Sequence, residues 1–180
     1  VPEKGVDLYV DVIENIAKKF PDWQFDLIGS FRLGNDENEG LFVSKVIKKF
    51  QNISNQTRFY GFKNQDFVQE KMKSASLIII PSIWEEPYGL VAAEAMSNGT
   101  AIIASNIGGI PEIVKKNGIL INNINRLKLQ NELKRLMNNP DKIKILQKLS
   151  WNNFEHSSKN SSKKLDIYRE RTLSSYIVNN

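Results

Sequence analysis

The 180-residue chain has no cysteine, which excludes a disulfide framework and thiolate chemistry. Histidine occurs once, at His156 in the polar C-terminal region, and a general-base role for that ring is not expected. With no histidine cluster and no Asp-x-Asp pair, no metal is implied. No run approaches the roughly 20 apolar residues of a membrane span. Val1 to Val10 lacks the basic segment and apolar core of a secretory leader. The loop from Gly29 to Gly34 is not followed by Gly-Lys-Ser/Thr and so is not a Walker phosphate loop, and no internal repeat is evident. A net charge of +5 and a pI near 9.3 permit attraction to phosphates, but the lysines are spread along the chain rather than gathered in one stripe. Nucleic acid is therefore not an expected partner, and the chain reads as soluble and cytoplasmic.

With 41% hydrophobic residues the chain can bury one sizeable core, so residues 1–180 are expected to form a single domain. Val6, Tyr9, Val10, Ile13, Ile16, Ala17 and Phe20 recur at helical spacing until Pro21 stops the pattern. The run WQFDLIGS predicts a strand ending at Gly29, and a polar loop then leads to a helix around Leu41 to Phe50. Arg58 to Phe62 predicts a short strand and Asp66 to Ser74 a helix. Leu77 to Pro81 predicts a buried strand, followed by a helix from about Tyr88 to Asn98. Thr100 to Ala104 predicts a strand, GGIPEIVKK a short helix with Pro111 in its first turn, and GILI a last strand. From about residue 124 the chain is expected to be helical, ending in a surface helix over Trp151 to Arg171. Strands alternating with helices across short loops predict an α/β fold, a Rossmann-like parallel sheet with helices on both faces.

The stretch PSIWEEPYGLVAAEAMSNGTAIIASNIGGIPEIV, Pro81 to Val114, places Glu86 and Glu94 on either side of a strand-to-helix turn. In an open α/β sheet that turn faces the ligand crevice, and the following helix offers unpaired N–H groups and the positive end of its dipole. The block resembles the E-P-F-G-L-V-x-x-E-A-M signature of the retaining nucleotide-sugar glycosyltransferases of GT-B architecture, glycosyl transferases group 1, with both acids at the family's spacing. The resemblance runs to about Val114 and fades through the helical tail. It implies a donor-binding domain with a nucleotide-diphosphate sugar as donor substrate and no cofactor. In that family a strand ending in Gly-Arg-Leu precedes the first helix, so the chain is expected to be the C-terminal half of such an enzyme with its first strand missing. That strand would lie between the LIG and LIIIP strands. The acceptor site and much of the cleft would belong to an N-terminal domain, and the fragment alone would be inactive. Bacterial surface-polysaccharide or lipid glycosylation is the commonest family context, which leaves room for peripheral membrane association of the full-length protein.

By this resemblance Glu94 binds the vicinal hydroxyls of a ribose, since a carboxylate accepts two hydrogen bonds at once. Glu86, kept out of the helix by Pro87, contacts the donor sugar near its anomeric centre. Tyr88, Gly89, Leu90 and Val91 offer first-turn N–H groups to the phosphates, and Tyr88 stands where the family usually has Phe. Lys4 matches a lysine that pairs with the diphosphate, whereas its partner arginine has no counterpart. Gly61 and Phe62 fall where the family places the nucleobase, and Phe62 could either stack or fill the core. Gly29 closes its strand at the crevice rim, but Ser30, Phe31 and Arg32 depart from the family's glycine-rich continuation. Gly108 and Gly109 are expected to serve mostly as turn residues. The alternatives are a non-catalytic Rossmann-like interaction module, or another nucleotide-sugar enzyme of the same architecture.

Overall fold

The computed structural model describes residues 2–29, 37–53, 55–155, 160, 162–163 and 165–170. The expectations for Ser30, Phe31, Arg32 and His156 lie outside them. A 3₁₀ turn, Pro2–Lys4, leads into α1 (Val6–Ile16) and a second 3₁₀ turn, Ala17–Lys19. There follow β1 (Phe25–Leu27), α2 (Glu37–Gln51), β2 (Thr57–Phe59), α3 (Gln65–Ser74), β3 (Leu77–Ile80) and α4 (Leu90–Ser97). The chain continues through β4 (Ala101–Ser105), α5 (Ile110–Val114), β5 (Ile119–Ile121), α6 (Arg126–Met137) and α7 (Pro140–Asn152).

All strand pairings are parallel, as the helical crossovers require. Phe25 pairs with Thr57 in β1–β2, Leu77 with Ala101 in β3–β4, and Ile103 with Ile119 in β4–β5. The strands fall into two groups, β1-β2 and β3-β4-β5, rather than one continuous sheet. The two strands that the resemblance expects a further strand to separate, β1 and β3, belong to different groups.

All of β4 is buried, and its alternate residues feed two cores. Ala101 and Ile103 join α1, α6 and α7 on one face, while Ile102 and Ala104 join α4 and α5 on the other. The first core also takes in Phe25 of β1 and Phe50 of α2, so α1 packs over both strand groups. Asn64, Asn125 and Asn139 cap α3, α6 and α7, each accepting a hydrogen bond from a first-turn N–H.

Several predicted boundaries move: α2 starts at Glu37 rather than near Leu41, β2 ends at Phe59 rather than Phe62, and two further shifts bear on the site. The strand expected over WQFDLIGS shrinks to three residues, because Trp23 N–H turns back to the Phe20 carbonyl at 3.1 Å. The signature helix begins at Leu90 rather than Tyr88, since Gly89 holds a left-handed φ of 87° that no helix can contain.

An ion network ties α1 to α2 and α6. Asp11 accepts from Lys49 at 2.6 Å and pairs with Arg126, and Lys49 also reaches Glu14 at 2.8 Å. Burial pushes the Asp11 carboxyl up, but hydrogen bonds and charge from Lys49 and Arg126 outweigh it and hold the group below the usual carboxylate range. A depressed carboxylate adds stability that is full above its unfolded pKa of about 3.9 and is lost as pH falls through the lower folded value. Asp11→Asn is therefore expected to reduce the fall in urea midpoint on acidification below about pH 4. An acid limb as steep as in the unmodified chain would show that the network does not contribute.

Candidate active site

The candidate site lies at the C-terminal ends of the parallel strands. After β3 the chain does not enter α4 directly but runs through an irregular loop from Pro81 to Gly89. Within it Glu86 is mostly buried and held from several sides. Lys4 pairs with its Oε1, and the Ser82 hydroxyl donates to the same oxygen at 3.0 Å. Ser82 is only 2% exposed, so its hydroxyl has little water to compete with Glu86. The Lys4 ammonium also stands over the Trp84 ring, 5.6 Å from its centre. Burial pushes the Glu86 carboxyl up; bonds from Lys4 and Ser82, the Lys4 charge and a bond from the Trp84 side chain more than offset this and hold it low. Glu86 is thus an ionised carboxylate at neutral pH, beside a cation. Neighbouring Glu85 is exposed.

The N-terminal turn is fixed on both sides of Lys4. The Glu3 carbonyl accepts from Ile83 N–H at 2.8 Å, and a Cβ on Gly5 would lie 2.0 Å from the Pro81 carbonyl oxygen. Gly5 has a φ of 64°, so close approach and a left-handed backbone both demand glycine there. A lysine next to the chain's beginning is in this way anchored against a loop some eighty residues on.

The loop is supported from behind by Gly108 and Gly109. A Cβ on Gly108 would fall 2.4 Å from the Glu86 carbonyl oxygen, and one on Gly109 2.6 Å from that of Pro87. The Gly109 N–H donates to the Glu86 carbonyl at 2.6 Å. The pair expected to act mostly as a turn is the surface on which the acid loop rests.

Gly89 is the N-cap of α4, and its missing side chain faces Ile110, whose Cα would lie 3.3 Å from a Cβ. Its small size is therefore taken up by packing on α5. The first-turn N–H groups of α4 belong to Leu90 and Val91, which have no acceptor within the helix. Tyr88 and Gly89 precede the helix. The side chains of Tyr88, Leu90 and Val91 are exposed.

Glu94 sits in the second turn of α4, half-buried, and accepts from Gln65 Nε2 of α3 at 2.9 Å. At the other strand group, Gly29 N–H donates to the Gly61 carbonyl at 3.1 Å, which joins the ends of β1 and β2. Phe62 is 77% exposed and does not fill the core. The structure thus brings Lys4 to Glu86 and Gly29 to Gly61. Neither Ser82, Trp84 nor Gln65 stood out in the sequence; the position of Ser82 just before the two glutamates is the only signal they carried.

The chain matches the family model described as glycosyl transferases group 1 over residues 1–155. An uncharacterised glycosyltransferase from Methanocaldococcus jannaschii is 33% identical over 163 residues, which is 84% of this chain and 42% of that protein. The chain therefore spans less than half the length of that relative. Among solved structures, the HepE protein of Anabaena in complex with UDP-glucose superposes with a TM-score of 0.73 at 22% identity, over 94% of this chain and 46% of that one. The C-terminal domain of a glycosyl transferase group 1 family protein from Francisella tularensis does so at 0.73 and 22%, over 84% of this chain and 78% of the other. The α/β fold is that of the C-terminal domains of GT-B glycosyltransferases. The chain belongs to the glycosyl transferases group 1 family.

Proposed function

We propose that this chain is the donor-binding domain of a retaining glycosyltransferase, which moves a sugar from a nucleotide-diphosphate sugar to a hydroxyl acceptor. The observation that carries the proposal is the gathering of Lys4, from the N-terminal turn, with Ser82 and Glu86 of the loop that enters α4, and Glu94 in the second turn of that helix. In this reading Glu94 takes the ribose hydroxyls. The first-turn N–H groups of α4 and the Lys4 ammonium take the diphosphate, and Glu86 faces the sugar.

The chemistry follows from charge. As the glycosidic bond breaks, negative charge grows on the leaving diphosphate and positive character on the sugar ring. A helix N-terminus and a fixed ammonium stabilise the first, and an ionised Glu86 the second, in groups already oriented before reaction. Departure and attack on the same face of the sugar preserve configuration without a covalent enzyme intermediate. Acceptor binding falls to an N-terminal domain, so the 180-residue chain alone is expected to bind donor and transfer no sugar.

A thermal-shift titration with UDP, GDP and ADP and their sugar conjugates tests this. A ligand at a hundred times its dissociation constant adds about 2.7 kcal/mol, or a rise of roughly 5–10 °C for a domain of this size. A shift with one base names the donor nucleotide. No shift with any of them, both for this chain and for one extended at its N-terminus, would leave a non-catalytic interaction module as the better account.

A further inference from the structure

We infer that α3 is the positioning element of the donor site, and that its Gln69 and Lys71 hold Glu94 at a fixed place relative to the ends of β1 and β2. The two strand groups share no ladder, so helices must set one against the other. On one face α1 does this, and Phe25 and Ile103 belong to the same core beneath it. Asp26 points to the opposite face, because side chains alternate along a strand. There α3 is attached to both groups. Toward the first, Lys71 Nζ donates to Asp26 Oδ2 of β1 at 3.2 Å and to the Tyr60 hydroxyl, just past β2, at 2.6 Å. The Lys71 ammonium lies 4.3 Å from the centre of the Tyr60 ring, which also meets the Phe67 ring of α3 at 5.3 Å.

Toward the second group, α3 holds Glu94 by both its side chain and its main chain. Gln65 Nε2 donates to the carboxylate at 2.9 Å. One turn on, Gln69 Oε1 accepts from Asn98 Nδ2 at 2.5 Å, and the same amide donates to the Glu94 carbonyl at 2.8 Å. The buried Thr100 hydroxyl, between α4 and β4, donates to the Met72 carbonyl at 2.6 Å. Gln65, Gln69 and Met72 recur at helical spacing, so these contacts form one row along α3. In such a chain each polar group is oriented by the next, and the orientation of one end depends on the other. Gln69 and Lys71 act on the Glu94 carboxylate through other groups and are therefore positioning residues. The inference rests on the donor-site reading, in which Glu94 takes the ribose, and Gly61 and Phe62, between β2 and α3, meet the base. A nucleoside reaches both only if the carboxylate stands at one distance from the base end, and α3 is the element bonded to the two sides.

Isothermal titration of the 180-residue chain with UDP, GDP and ADP, and with their 2′,3′-dideoxy analogues, tests it. Gln69→Leu keeps the size of the side chain and removes the acceptor. It is expected to weaken the ribonucleotide that binds about three- to tenfold while changing its dideoxy analogue less than about twofold, because the analogue makes no use of Glu94. Lys71→Met, made together with Asp26→Asn so that no carboxylate is left without its cation, is expected to act in the same sense. In a Glu94→Ala background, Gln69→Leu is expected to change affinity less than about twofold, the mark of two residues acting through one contact. Each variant is titrated below its circular-dichroism midpoint. A ribose preference lost in Glu94→Ala but unchanged in Gln69→Leu or in the Lys71 variant overturns this inference alone, as do additive losses in Gln69→Leu/Glu94→Ala. No binding of any of the three nucleotides, or a ribose preference that survives Glu94→Ala, overturns the donor-site reading and this inference with it.

Discussion

Gly108→Ala is expected to lower the thermal midpoint by about 5–10 °C and to abolish the nucleotide-induced shift, although residue 108 offers no side chain to any ligand. The cause is the backbone behind the acid loop. The added Cβ would meet the Glu86 carbonyl oxygen at 2.4 Å and the Glu86 nitrogen at 2.5 Å, at a φ of 57°. The left-handed backbone alone costs an L-residue about 1–2 kcal/mol. The clash is with main chain and cannot be relieved by turning a rotamer, so the loop from Glu85 to Tyr88 must shift, taking the total to about 2–4 kcal/mol. Gly61→Ala provides the comparison, because Gly61 has a similar φ of 66° but open space where its Cβ would go. It should pay the conformational cost and nothing for contact. Equal losses at the two positions, measured by differential scanning calorimetry, would show that the loop does not rest on Gly108.

How far the sequence foretold this site depends on the length scale of each feature. Glu86 and Glu94 were legible because both lie within one short stretch whose strand, proline and helix signals fix where each must stand. The buried strand β4 and the apolar stripe of α1 were legible for the same local reason. Lys4 could be singled out only through family resemblance, since nothing around it in the chain indicates that the Gly5 turn docks on Pro81. Gln65, 29 residues from Glu94, and Gly108, wedged against the Glu86 backbone, are partners created by tertiary packing. Their sequence neighbourhoods advertise only a helix start and a turn. The division of the strands into two groups was hidden from the local patterns, which report which residues are apolar and not which edges meet; only the resemblance, by expecting a further strand between β1 and β3, pointed to it. Charge was misjudged in a different way. The lysines are scattered, as the sequence suggested, but residues 126–152, which form α6 and α7, have few acids, and the excess becomes visible only when both signs are counted element by element.

Glu94→Ala is expected to leave the fold almost unchanged while cancelling the nucleotide response. Alanine is the best helix former, and the half-buried Glu94 side chain gives up only the exposed bond from Gln65, so the ligand-free midpoint should stay within about 2 °C. Binding should suffer far more. Each hydrogen bond to a charged group contributes about 1.5–3 kcal/mol, and one carboxylate bridging two ribose hydroxyls makes two that are not fully additive. A net loss near 2.7 kcal/mol is about a hundredfold in affinity. A nucleotide at a hundred times the parent dissociation constant then merely half-saturates the variant, and its stabilisation falls from about 2.7 to about 0.4 kcal/mol. A rise of several degrees thus shrinks to about one. Gln65→Ala keeps the carboxylate but removes the group that orients it, and should weaken binding only about three- to tenfold, the range for one exposed hydrogen bond. The decisive comparison uses 2′,3′-dideoxynucleotide diphosphates. The parent should bind them about as weakly as Glu94→Ala binds the ribonucleotides, and the variant should not distinguish the two series. If the variant still prefers the ribonucleotides, the hydroxyls are read by another group, and the assignment of Glu94 to the ribose is wrong.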